Sequence, residues 1–477
     1  MKKHNRPRIM IAATGSGSGK TSITCGLLQA LINKGIKPSS FKCGPDYIDP
    51  MFHTEVLGVQ SRNLDLFFME ENIANYLLCK NSKDTDFAVI EGVMGYYDGL
   101  AGNSIKCSSY DLARATKTPV ILIADCKGMS LSVAALVKGF LEFKKNSNIQ
   151  SVILNRIPPM LYPDIKEIIQ EEVGVQVLGY LPTLRDCALQ SRHLGLITAG
   201  EIENFKEIIT ELAKQIASTV DLDGILKIGR NAPPVGYEFT GELATLSSML
   251  NRNNQHLCKD SVVDCPRETS NVKIAVAMDQ AFCFYYRDNL DLLEELGAEI
   301  LPFSPLVDEA LPEGTQGLIL GGGYPELYLN QLSKNKKIIM SIRNEIENGM
   351  PCIAECGGFM YLNEVIKDED GEPHQMVGAI KGESFPTNRL TRFGYLTLLA
   401  KEDNMLCEAG EELKGHEFHY WDSTNCGNSF EGKKPLRERS WDCVHASKSL
   451  YAGYPHIHFY SNVKAAERFI NSCRSRG

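Results

Sequence analysis

Residues 9–22 read Ile-Met-Ile-Ala-Ala-Thr14-Gly15-Ser16-Gly17-Ser18-Gly19-Lys20-Thr21-Ser22, an apolar run, then a glycine-rich turn, then the start of a helical pattern. This segment constrains the fold because the turn must present backbone N–H groups at a helix N-terminus while the strand before it is buried in a parallel sheet. Glycines let those N–H groups point inward at phosphates, Lys20 is placed to reach the β- and γ-phosphates, and Thr21 offers a hydroxyl to Mg²⁺. Gly15, Ser16, Gly17, Ser18, Gly19, Lys20, Thr21 and Ser22 are therefore the candidate ATP-binding residues. The strict phosphate-loop pattern asks for glycine at position 14, where this chain has Thr14; Gly15 and Gly17 are expected to supply the missing freedom.

The rest of the first half continues in the same style. Short β-branched runs at 39–42, 87–90, 120–124, 152–155 and 177–180 alternate with helical periodicity at 22–33, 132–143 and 205–216. That alternation predicts βαβ units on a parallel sheet. From 229 to 270 the periodicity lapses into polar, turn-rich sequence, so this stretch is expected to be a linker between a domain at 1–228 and another at 271–477. The second domain restarts the pattern, with strands at 272–278, 299–303, 317–320 and 352–354 and helices at 289–296 and 336–348. A chain of 477 residues is too long for one ordinary core, which agrees with two α/β domains.

Composition narrows the function classes. The formal net charge of −9 disfavours a general nucleic-acid or anionic-membrane binder. No apolar stretch approaches the roughly 20 residues of a membrane span. The basic start is followed by too short an apolar run for a secretory leader, and the 15 cysteines lack framework spacing, so a reduced, cytoplasmic protein is expected.

Acidic residues cluster after predicted strands, at the edge where open α/β sheets bind ligands. Asp86-Phe-Ala-Val-Ile-Glu91 places Glu91 there, and Lys42-Cys-Gly-Pro-Asp46-Tyr-Ile-Asp49 presents Lys42, Asp46 and Asp49 at the same edge. Thr21, Glu91 and Asp46 are the candidate Mg²⁺ residues; Lys42, Asp49 and Asp98 are candidates for contact with substrate. Asn155 could offer its amide to an adenine edge, and Arg192 and His193 belong to a cationic cluster suited to an anionic substrate. Each has a plainer alternative: helix caps and turns for the acids, a solvated loop for the cations.

In the second domain, Pro351-Cys-Ile-Ala-Glu-Cys356-Gly-Gly sets a cysteine at a sharp strand-to-helix turn followed by glycine. That elbow exposes a nucleophile and frees the next N–H as an oxyanion donor, which makes Cys356 the nucleophile and Gly357 the donor. The Gly321-Gly322-Gly323 turn is expected to form the second wall of the oxyanion hole, while Cys352 should pack inside its strand. A general base must come from elsewhere, and Tyr454-Pro-His456-Ile-His458 offers two histidines on one side of an extended segment.

These motifs, together with Ser61-Arg-Asn-Leu-Asp, Glu91-Gly-Val-Met-Gly, Arg192-His-Leu-Gly-Leu, Ala281-Phe-Cys-Phe-Tyr-Tyr, Gly321-Gly-Gly-Tyr-Pro-Glu and Gly415-His-Glu-Phe-His-Tyr, resemble those of the cobyrinic acid a,c-diamide synthases over essentially the whole chain. The resemblance implies an N-terminal phosphate-loop domain of the dethiobiotin-synthetase type and a C-terminal class I glutamine amidotransferase domain. It implies ATP and L-glutamine as co-substrates, Mg²⁺ as cofactor, a corrinoid tetrapyrrole as substrate, and two successive amidations through acyl phosphates. It leaves room for a homodimer, and for nickel-sirohydrochlorin or hydrogenobyrinate as the tetrapyrrole. The common class I motif is His-Pro-Glu, so the base role is carried onto His456, with His458 its rival because a histidine stands where the glutamate would fall. A nucleotide-switch ATPase with an unrelated appended domain is the distant alternative; it leaves Cys356 and the histidine segment unexplained.

Overall fold

The computed structural model describes residues 2–184, 199–257 and 271–476. The chain divides into two compact units, Met1–Glu238 and Phe239–Gly477.

The first unit is built on a seven-stranded sheet. Its order is Ser61–Leu64, Pro38–Cys43, Phe87–Glu91, Arg8–Ala13, Val120–Asp125, Ile149–Asn155 and Gln176–Leu181, with every neighbouring pair parallel. The strands Phe87–Glu91, Arg8–Ala13 and Val120–Asp125 at its centre are apolar along nearly their full length because helices cover both faces of such a sheet, while Pro38–Cys43 and Ser61–Leu64 toward one edge are more polar. Ile9, Ile11, Val89, Ile121 and Ile153 pack against Leu27, Leu28 and Leu31 of helix Lys20–Asn33. Each such fully buried aliphatic side chain contributes on the order of 1.5–3 kcal/mol. A second helix, Ala199–Thr219, lies close over the first at Gly26, where an added Cβ would stand 2.8 Å from Ile216 Cδ1 and 3.0 Å from Leu212 Cβ.

The second unit has a six-stranded sheet ordered Ala298–Phe303, Val272–Ala277, Gly317–Leu320, Cys352–Glu355, Leu450–Gly453 and His445–Ala446, parallel but for the last pair. Two further sheets, absent from the sequence expectation, use the residues between 363 and 457. One is four-stranded and one is five-stranded and antiparallel, and the latter ends on His456–Ile457.

The expected linker at 229–270 is corrected in its described part. Helix Leu222–Arg230 runs into it, Val235–Tyr237 pairs antiparallel with Lys2–His4, and Gly241–Leu257 is helical. The last helix is anchored by Leu243, Leu246 and Met249, all nearly inaccessible. That three-residue spacing was present in the sequence beneath the asparagine-rich stretch read as turns. Among the described residues no helix is long and apolar enough to cross a membrane, and the described cysteines are free thiols.

Candidate functional site

In the first unit the phosphate loop leaves strand Arg8–Ala13 and enters helix Lys20–Asn33 through Gly19, whose φ of 89° and ψ of 19° lie in the left-handed region. Thr14 does not disturb it, because its N–H still donates to Ile123 O at 3.2 Å and the residue continues the sheet ladder. Glycine is needed only after the chain leaves the sheet. Lys20 Nζ donates to Gly15 O at 3.2 Å and to Met94 O, so the ammonium folds back across the loop mouth. Burial, reinforced by Lys42, pushes Lys20 down to about 8 against the pull of Glu91, Asp49 and Asp98.

Behind the loop, Thr21 Oγ1 donates to Glu91 Oε1 at 2.8 Å and lies 3.5 Å from Asp49 Oδ2. Lys42 Nζ donates to both carboxylates, at 2.8 Å to Glu91. Although burial opposes its charge, Glu91, Asp49 and Asp46 hold Lys42 well above its ordinary value. Burial raises Glu91 to about 7 despite Lys42. Burial works upward on Asp49 too, yet Lys42 and His53 bring it below the usual carboxylate value. His53, which the sequence reading missed, is inaccessible; its Nδ1 meets Ser40 Oγ at 2.9 Å and its Nε2 faces Glu91 Oε2 at 3.7 Å.

This donor set fits Mg²⁺. Glu91 Oε2 is buried without a hydrogen-bond partner, and the converging groups are hard oxygens of a hydroxyl and two carboxylates. Mg²⁺ takes one or two protein carboxylates and completes its shell with phosphates and water. Among the described residues no three His, Cys, Asp or Glu side chains form a closed cage. The carboxylate beside Thr21 is Asp49, not the expected Asp46. Asp46 Oδ1 instead accepts from Ile48 N at 2.8 Å and Asp49 N at 3.3 Å, capping helix Ile48–Glu55.

Other expectations shift as well. Asn155 Nδ2 donates to Ser18 O at 2.9 Å, so the amide braces the loop. Asp98 Oδ2 accepts from Gly95 N at 2.9 Å and closes a turn, reaching the site only as a charge near Lys20. Arg192 and His193 lie outside the described residues.

In the second unit Cys356 stands between strand Cys352–Glu355 and helix Gly357–Leu362 with φ 47° and ψ −103°. That conformation is strained for a residue with a side chain, and such strain concentrates at nucleophile elbows. The elbow fits because Gly357 and Gly358 carry no side chain: a Cβ on Gly358 would lie 2.1 Å from Leu320 O, and one on Gly357 would lie 3.2 Å from Gly323 N. The Gly321–Gly323 turn is thereby packed against Gly357, as an oxyanion hole requires, and Tyr285 Oη fixes it by accepting from Gly321 N at 2.9 Å. Burial, with Glu326 adding repulsion, pushes the Cys356 thiol well above its usual value, so a base is needed to make the thiolate.

His456 meets this site: a Cβ on Gly322 would lie 2.3 Å from His456 Cε1. Its ring stacks on His416 at 5.0 Å between centroids, and His416 Nδ1 meets Tyr286 Oη at 3.0 Å. His456 Nδ1 faces Glu355 Oε2 at 3.5 Å. Glu355 lay within the cysteine motif but drew no role from the sequence. His458 is inaccessible, accepts from Tyr460 N through Nδ1 at 3.3 Å, and packs on Tyr286 at 4.8 Å; burial drives it down to about 3. Cys352 is buried in its strand, as expected.

Comparison with known proteins agrees with both halves. Residues 9–196 match the CobQ/CobB/MinD/ParA nucleotide binding domain, and residues 273–464 match the CobB/CobQ-like glutamine amidotransferase domain. The chain is 39% identical to the cobyrinate a,c-diamide synthase of Caldanaerobacter subterraneus subsp. tengcongensis over 98% of each chain. It is 39% identical to that of Thermoplasma volcanium, over 98% of this chain and 97% of the relative, and 38% identical to that of Salmonella typhimurium over 98% of each. A phosphate loop and a cysteine elbow on one polypeptide, matched end to end by these relatives, place the chain in the cobyrinate a,c-diamide synthase family, carbon–nitrogen ligases with a glutamine amidotransferase domain.

Proposed function

We propose that this chain catalyses ATP- and glutamine-dependent amidation of the a- and c-acetate carboxylates of cobyrinic acid through acyl phosphates. The observation that carries the reading is the strained Cys356 elbow on the same chain as a phosphate loop backed by Thr21, Glu91 and Lys42. Full-length likeness to proteins named for that reaction supports the choice of substrate.

In the second unit His456 takes the Cys356 thiol proton, and the thiolate adds to the glutamine side-chain amide. The N–H groups of Gly357 and Gly323 stabilise the oxyanion. His456 returns the proton to the departing nitrogen, ammonia leaves, and water attacks the glutamyl thioester to release glutamate and the free thiol. In the first unit the loop N–H groups and Lys20 hold the triphosphate while a substrate carboxylate oxygen attacks the γ-phosphorus and ADP leaves. Ammonia then adds to the acyl phosphate and inorganic phosphate departs, leaving the amide. Lys42 is held charged between Glu91 and Asp49 and keeps those acids in place. Mg²⁺, when bound by Thr21, Glu91 and Asp49, would supply charge neutralisation at the phosphates.

The test is to incubate the purified chain with ATP, glutamine and, separately, cobyrinate, hydrogenobyrinate or nickel-sirohydrochlorin, and to weigh the products. A diamide from cobyrinate is expected. A diamide only from another tetrapyrrole would move the assignment to that substrate, and ATP hydrolysis indifferent to glutamine and every tetrapyrrole would remove it.

A further inference from the structure

The amidotransferase half needs an anion to orient its base, and the histidine's own strand does not provide one. Two residues after His456 stands His458, buried, neutral and engaged with Tyr460 N and the Tyr286 ring. Glu417 faces Arg392 Nε at 3.4 Å and His419 Nε2 at 3.3 Å, and Glu326 acts on Cys356. His416, stacked on the base, is held well below its ordinary value by burial and by His456, so it carries no compensating charge.

A carboxylate does face the base, from the strand that carries the cysteine. Glu355 pairs in register with Gly453, on the strand that leads into His456. Its Oε1 accepts from Ile457 N at 3.0 Å, which ties the carboxylate to the backbone beside the base, and its Oε2 faces His456 Nδ1 at 3.5 Å. We propose that Glu355, the residue immediately before the nucleophile, is the positioning carboxylate of the base, so that the triad is Cys356, His456 and Glu355. The inference rests on the reading of His456 as base. It replaces a carboxylate contributed from the histidine's strand by one from the cysteine's strand, and fixes Nδ1 as the protonated nitrogen, leaving Nε2 for the thiol proton. The 3.5 Å separation is that of a resting site, and such contacts tighten once the ring takes a proton.

The groups facing this pair are His416 from strand Glu412–Glu417, Tyr285 and Tyr286 ahead of helix Arg287–Glu295, Tyr451 from strand Leu450–Gly453, and Cys356 itself. Glu326 and Glu417 also act on Cys356, whereas Glu355 is the carboxylate against His456 Nδ1, so a change at Glu355 should be read on the base.

Glu355→Gln keeps the side-chain size and the bond to Ile457 N while removing the charge. Glutamine-dependent kcat is expected to fall by about 10²-fold or more with KM little changed. A carboxylate partner favours the imidazolium, so its loss should change the acid side of the kcat/KM profile. Ammonium-dependent synthesis should persist, and Glu355→Asp should recover part of the lost rate. An unchanged rate and unmoved acid limb in Glu355→Gln, alongside an inactive His456→Ala, would overturn the positioning role and leave the base reading intact. Loss of both the glutamine and the ammonium routes would make Glu355 structural and also overturn it. Full glutamine-dependent activity in His456→Ala would remove the base reading, and the proposal with it.

Discussion

Two buried side chains with opposite demands, Cys356 and Lys20, set the chemistry at the residue scale. Cys356→Ala removes the proposed nucleophile and leaves the synthetase half alone; glutamine-dependent synthesis should vanish while synthesis from added ammonium salts continues, as followed by product mass. The two histidines divide similarly. His456→Ala should lower the glutamine reaction by about 10²- to 10⁴-fold, as loss of a general base does, whereas His458→Asn should mainly cost stability, because its ring fills the space against Tyr286 and Tyr460. Lys20 gives a pH prediction. Its folded value of about 8 lies below the ordinary lysine value of 10.5, so the unfolded chain binds its proton more tightly and folding is penalised wherever the unfolded lysine is charged. The penalty is full below pH 8, shrinks between 8 and 10.5, and is gone above, with an upper bound of about 3 kcal/mol. Lys20→Met should therefore raise the Tm of the nucleotide-free protein at pH 7, the gain fading toward pH 10, while abolishing ATP binding. A variant that melts lower at pH 7, or whose difference ignores pH, would contradict the burial argument.

At the scale of elements, the strand-to-helix elbow stores strain that belongs to function. Cys356 at φ 47° and ψ −103° sits where only glycine is relaxed. Exchanging alanine for glycine ordinarily costs about 0.5–1 kcal/mol; here Cys356→Gly should instead melt above Cys356→Ala, because the strain it relieves is on the order of 1–3 kcal/mol. Calorimetry on the two variants decides the matter. Elements also explain what was legible in the sequence. Most parallel strands announced themselves as apolar runs because both faces are buried, whereas Ser61–Leu64, polar in three of its four residues, and the short Leu450–Gly453 did not; the turns at Gly19 and Cys356 carried glycines that geometry demands. The antiparallel sheets between 363 and 457 were invisible because their strands are half-exposed and irregular, Gly394–Ala400 alternating between core and solvent within a polar context. Helix Gly241–Leu257 was lost beneath its asparagines. Within the sites, partners distant in sequence were the hard part: Asp46 and Asp49 looked alike until one capped a helix and the other met Thr21, and Glu355 gains meaning only when strand pairing brings it under His456.

At the scale of the whole molecule, the reactions proposed for the two units share ammonia as their intermediate. Only the unprotonated form has the lone pair that opens an acyl phosphate, and ammonium is the dominant species in neutral water. On the proposed mechanism the glutamine route generates the nucleophile within the protein, while added ammonium salts must supply it from solvent. The two routes should therefore part with pH. In Cys356→Ala, synthesis from a fixed total of ammonium salt should climb steadily as pH rises and more ammonia is unprotonated. In the unsubstituted chain with saturating glutamine, synthesis should follow instead the ionisation of the base that makes the Cys356 thiolate, reaching a plateau at lower pH. Parallel pH profiles for the two would mean that glutamine-derived ammonia equilibrates with bulk water before use. The halves would then be two enzymes sharing one chain, and an ammonia scavenger added to the medium should suppress the glutamine reaction. With the profiles separated, the same scavenger should abolish the ammonium route and leave the glutamine route running.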